Sequence, residues 1–104
     1  MNTLTREELK SMLDNGNVTL IEVLNEDEYK KSHIKGAINI PLKEIGTRAK
    51  EQFTEDEKIV VYCADFECSA SPTAAKKLED MGFSSVYDFT GGKKDWKEAG
   101  LPMA

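Results

Sequence analysis

The sequence predicts an α/β domain built on a mainly parallel sheet with helices on both faces. Three observations carry this. Short β-branched runs alternate with helical patterns along the whole chain, those runs are apolar enough for strands buried in a sheet, and no repeat or linker interrupts the alternation. With 104 residues, one domain over 1–104 can bury a continuous core without disulfides or a structural metal.

The elements follow in order. Thr5 and Glu8 make a capping box, flanked by Leu4 and Leu9 at hydrophobic-staple positions, so a helix starts there. Leu9, Met12 and Leu13 form its apolar stripe, and Gly16 is placed to end it. Val18 to Val23 reads as a buried strand. Asn25 with Glu28 predicts a second boxed helix, with Leu24 and Tyr29 repeating the staple spacing. Ala37 to Ile40 is a short strand stopped by Pro41. Leu42, Ile45, Ala49 and Phe53 recur at helical spacing across Gly46. Lys58 to Cys63 is the clearest strand and is expected at the centre of the sheet. Pro72 fits only the first turn of the next helix, which Ser69 or Ser71 caps and Gly82 ends. Ser85 to Phe89 is a strand, and a last helix from about Lys93 to Glu98 carries Trp96 and stops at Gly100.

The composition narrows the function. A formal charge of −5, with no dense basic run, disfavours nucleic acid and anionic membranes as partners. No window approaches the ~18 apolar residues of a membrane span, and the N-terminal residues lack a signal-peptide pattern. A cytoplasmic, monomeric protein is expected. Cys63 and Cys68 are the two cysteines and His33 the one histidine, which is too few for a tetrahedral metal site without recruited carboxylates, so no metal or cofactor is expected.

The chemistry is expected at Cys63. Ligands of open parallel sheets bind beyond the carboxyl ends of the strands, and Cys63 ends the best strand, just before a loop and a helix N-terminus. Loop amides and the helix dipole there can lower a thiol pKa from ~8.5 toward neutrality, and the thiolate is the nucleophile. A small buried apolar residue is the alternative use of such a cysteine.

Leu20-Ile21-Glu22-Val23, Glu28-Tyr29 and His33-Ile34-Lys35-Gly36-Ala37-Ile38-Asn39-Ile40-Pro41 resemble the N-terminal signature of the rhodanese-like domain family. Gly82-Phe83, Val86-Tyr87, Gly91-Gly92, Asp95-Trp96 and Ala99-Gly100-Leu101-Pro102 resemble its C-terminal pattern in the same order. The resemblance implies a five-stranded, mainly parallel sheet flanked by helices, with Cys63 as nucleophile. It also implies a sulfurtransferase or sulfur carrier that forms a persulfide on Cys63. The partners would be a small sulfur donor and a thiol acceptor, itself a small molecule or a protein.

The loop departs from that family. Ala64, Asp65, Phe66, Glu67, Cys68 and Ser69 form the expected substrate-binding loop, longer than usual, acidic and without its customary arginine or lysine. Such a loop should repel thiosulfate. Of the family's acid and arginine in the second strand, Glu22 keeps the acid, and Leu24 replaces the arginine. Cys68 is either a resolving thiol, attacking a Cys63 persulfide or sulfenic acid to leave a disulfide, or a small packing residue. His33, Trp96 and Gly91-Gly92 read as structural. Two other functions stay open: a thiol-disulfide redox protein using the Cys63-Cys68 pair, and a non-catalytic binding module that presents its acidic loop. A phosphatase is disfavoured, because residues 64–71 hold no arginine to neutralise a tetrahedral dianion.

Overall fold

In the computed structural model, residues 2–104 are described, and they form five strands and five α-helices. In chain order these are β1 (Asn2–Leu4), α1 (Arg6–Asn15), β2 (Thr19–Glu22), α2 (Glu26–Lys31), β3 (Ile38–Asn39), α3 (Ile45–Gln52), β4 (Lys58–Tyr62), α4 (Ala70–Asp80), β5 (Ser85–Phe89) and α5 (Gly92–Glu98). A 3-10 turn, Leu42–Glu44, leads into α3. The strands lie in the order β1-β5-β4-β2-β3, and every pairing is parallel. β4 is therefore the central strand, as expected, although it ends at Tyr62 and leaves Cys63 as the first residue beyond it.

Period-two alternation divides the core between the two faces of the sheet. Ile21, Val23, Ile59, Val61, Cys63 and Val86 face α3 and α4, which supply Ile45, Ala49, Ala74, Ala75 and Leu78. Leu20, Val60, Tyr62 and Phe89 face the other way, toward Leu9 of α1 and Trp96 of α5. Trp96 meets Phe89 edge-on and donates its indole N–H to the Pro102 carbonyl at 2.8 Å.

The caps agree with the sequence in one place and not in another. At α1, Glu8 N–H donates to Thr5 Oγ1 (3.1 Å) and Thr5 N–H to Glu8 Oε1 (2.9 Å), so the box forms in full. At α2, Asn25 holds the N-cap position but makes no side-chain cap bond. Glu28 instead accepts from Lys31 at 3.2 Å, one helical turn away. Nor do Leu24 and Tyr29 staple that helix, because Leu24 packs with the α3/α4 core and Tyr29 with the opposite one.

Candidate active site: a cysteine pair at the end of the central strand

Cys63 leaves β4 and enters a loop that runs to the N-terminus of α4. Two hydrogen bonds from the start of α5 hold this point: Lys93 N–H donates to the Cys63 carbonyl and Lys94 N–H to that of Ala64, both at 2.9 Å. The approach requires a glycine. A Cβ on Gly92 would sit 2.6 Å from the Cys63 carbonyl oxygen and 2.8 Å from Asp65 N, and Gly92 adopts φ +67°, where a side chain is strained. The Gly91-Gly92 pair, read from sequence as packing and the start of a helix, thus also anchors the loop.

The Cys63 side chain is 1% exposed and belongs to the α3/α4 core. It is bridged to Cys68, with a Cα–Cα separation of 6.3 Å, within the range a disulfide requires. Cys68 is half-buried, so it is the outer member of the pair. The cradle of loop amides expected around the Cys63 sulfur is not formed in this bridged state. Among the described residues no backbone N–H donates to it. Glu67 N–H is engaged by Asp65 Oδ1 (3.0 Å) and Cys68 N–H by the Asp65 carbonyl (3.3 Å), an Asx-type turn that closes the loop on itself.

The partner of the Cys63 sulfur is Ser71, whose hydroxyl oxygen lies 3.5 Å away and donates to it. Ser69 is the N-cap residue of α4 but spends no side-chain bond on the helix, while Ser71, in the first turn beside Pro72, turns inward and is 1% exposed. Asp88 of β5 lies on the same face of the sheet. Val61 pairs with Asp88 in register, and Cys63 is two residues beyond Val61. The Asp88 carboxyl is fully buried, with neither oxygen hydrogen-bonded among the described residues. Burial pushes its pKa up. Ser71 offsets this in part, close enough to favour the ionised form without reaching bonding geometry.

The opposite face carries a second polar group of different character. Glu22, also fully buried, accepts from Tyr62 Oη at 2.9 Å and from Lys93 Nζ at 3.1 Å, and Lys93 also donates to the Glu28 carbonyl at 2.9 Å. Tyr62 in turn accepts from Ile34 N–H at 3.1 Å. Burial first, and then the charge of Glu22, raise the Tyr62 pKa far above that of a free phenol. This network ties β2, β4 and α5 together. His33 is structural here too: Nδ1 lies 2.9 Å from the Tyr29 carbonyl, and the ring stacks on Tyr29.

Outside the bridge, Phe66 is 70% exposed at the tip of the loop. Asp65, Phe66, Glu67, Gly91, Lys94, Asp95 and Glu98 line an open cleft of about 280 Å³. Four of those side chains are acids and Lys94 is the one cation, so the surface beside the cysteine pair keeps the acidic character read from the loop. Among the described residues no group of three or more His, Cys, Asp or Glu could hold a metal ion. Among the described residues no helix is long and apolar enough to cross a membrane. The sequence pointed to Cys63, Cys68 and the loop, and the structure joins the two cysteines in one bridge, but Ser71, Asp88 and Lys93 were not singled out for the site. An acid inside a strand whose faces are both covered was the available signal for Asp88.

Comparison with known proteins agrees with this architecture. A family model described as the rhodanese-like domain matches residues 5–99. An HTH-type transcriptional regulator of Mycobacterium tuberculosis is 40% identical over 96% of the chain, which spans only 43% of that regulator's length. The thiosulfate sulfurtransferase GlpE of Actinobacillus succinogenes is 27% identical over 96% of the chain and 87% of its own. Among solved structures, a rhodanese-like domain of an Anabaena protein superposes with a TM-score of 0.91 at 28% identity, covering 100% of this chain and 79% of that one.

Proposed function

The chain belongs to the rhodanese-like domain family, and on that premise we propose that it is a sulfurtransferase or sulfur carrier whose nucleophile is Cys63 and whose resolving thiol is Cys68. The observation that carries this reading is the pairing of a buried sulfur at the end of the central strand with a second, more exposed one whose Cα is 6.3 Å away. In the reduced protein the Cys63 thiolate attacks the outer sulfur of a persulfide, R–S–SH. It becomes Cys63–S–SH and releases R–S⁻. An acceptor thiolate then takes the outer sulfur and leaves the Cys63 thiolate. Without an acceptor, the Cys68 thiolate attacks the Cys63 sulfur, expels HS⁻ and forms the bridge. The bridge thus ends a turnover and protects Cys63 until a thiol reductant reopens it.

The cleft disfavours thiosulfate as donor, since the four acids beside the loop repel its dianion. The relative named a thiosulfate sulfurtransferase supports the reaction class. On this reading the protein acts in the cytoplasm, where reductants keep such a pair open, as a monomer on small-molecule or protein thiols.

Mass spectrometry tests the proposal. Pre-reduced protein exposed to thiosulfate, polysulfide or glutathione persulfide gains the mass of one sulfur atom. Cys63→Ser gains none, and Cys68→Ser holds the added sulfur longer. A wild type that takes up sulfur from no donor ends this reading. The bridge also favours a second one, a thiol-disulfide redox protein. Full sulfur-transfer activity in Cys68→Ala counts against that alternative.

A further inference from the structure

Among the described residues, Asp88 is the one buried ionisable group that neither the fold nor the sulfur chemistry above uses. A buried carboxyl with no hydrogen-bond partner is costly and rare, and one beside a reactive sulfur calls for a reason. Its surroundings supply one. From β4 the group on its face is Cys63, and from α4 it is Ser71, while Lys76 and Lys77 of that helix lie in solvent. From β1 its register partner is the uncharged Thr3. Ser71 thus touches the Cys63 sulfur at 3.5 Å and also bears on the ionisation of Asp88, whose own oxygens make no hydrogen bond among the described residues.

We propose that Asp88 is the proton store for Cys63, delivering its proton through Ser71 Oγ to the sulfur that departs whenever a bond to Cys63 is broken. This rests on the reading that Cys63 exchanges sulfur bonds. Take the reopening of the bridge by a small thiol. The reagent thiolate attacks the outer sulfur, Cys68, and forms a mixed disulfide there. The electron pair of the old S–S bond goes to the Cys63 sulfur. The Ser71 proton moves onto that sulfur as the Asp88 proton moves onto Ser71 Oγ, leaving a Cys63 thiol and an Asp88 carboxylate that regains its proton from water. A second thiolate displaces Cys68 and leaves as the reagent disulfide, so two thiols supply the two electrons. Burial favours the protonated form of the Asp88 carboxyl and raises its pKa, which suits a group that gives up a proton.

The test is the rate at which dithiothreitol opens the bridge in the full chain, followed by rapid alkylation and mass analysis across pH and expressed per reagent thiolate. The wild-type rate is expected to fall as pH rises through the Asp88 ionisation. Asp88→Asn should be slower at neutral pH by roughly 100-fold, the low end for a lost general acid, with no such fall. Ser71→Ala should match it and Ser71→Thr, which keeps the hydroxyl, should recover most of the rate. A wild-type rate and profile in Asp88→Asn overturns the proposal. Should that variant not fold, a wild-type profile in Ser71→Ala overturns it equally. The readout needs no sulfur donor, so the two readings fail separately. Protein that takes up no sulfur yet shows this pH profile sinks transfer and keeps the relay, and the converse result sinks only the relay.

Discussion

Glu22 and Asp88 are both fully buried acids, on the two strands that flank β4, yet the faces of the sheet treat them in opposite ways. Glu22 is met by a phenol and an ammonium, and every contact it makes joins one element of the fold to another. Asp88 is met by neither and lies on the face of Cys63. A buried acid that is hydrogen-bonded and paired ties elements together, whereas a buried polar group without partners costs stability. The molecule thus keeps its hydrogen-bonded buried acid on the α1/α5 side and its unpartnered one on the α3/α4 side, the face of Cys63.

The largest expected effect breaks the satisfied side. Lys93→Met leaves Glu22 buried without a counter-charge and should cost about 3–5 kcal/mol in urea unfolding, with Glu22→Gln in the same chain recovering part of it. A loss under 1 kcal/mol would mean that the pair is not structural. Next is the anchor between α5 and the loop. Gly92→Ala places a methyl against the Cys63 carbonyl at a positive φ and should lower stability by about 1–3 kcal/mol.

A smaller effect sharpens the unsatisfied side. The Asp88 pKa is raised in the folded chain, so as pH climbs from the ordinary Asp range the unfolded chain ionises first, and stability falls until the folded carboxyl ionises as well. Asp88→Asn removes that slope. Unfolding midpoints between pH 4 and 8 should show the variant gaining on wild type as pH rises, and parallel curves would refute a raised Asp88. The smallest effect is at the loop tip, where Phe66→Ala should change stability by no more than about 0.5 kcal/mol in thermal unfolding, because that ring is already in water.

Much of this was legible in the sequence, for reasons that also explain the rest. β5 was bounded correctly and β4 to within one residue, because their β-branched runs are dense and their limits carry turn residues. β1 was missed from the residues themselves. Asn2–Leu4 is three residues at the sheet edge with one partly buried side chain, too little for any pattern. The Asn25 box and the Leu24 staple failed because spacing reports which residues can meet, and here the two cores drew Leu24 and Tyr29 apart. That Cys63 lies just beyond the central strand was legible in the topology, and that Cys68 could reach it from the short spacing between them. Lys93 lies 71 residues from Glu22, and no local pattern joins them.

The absence of a side chain at position 92 has a consequence beyond folding. The turn that carries Cys63 is propped by the first backbone amides of the last helix, and that support admits nothing larger than hydrogen. On the proposed sulfur-transfer role, a random-mutagenesis screen scored only for lost turnover should therefore recover substitutions at 92 alongside those at 63. A residue that meets no substrate will look, genetically, like part of the chemistry.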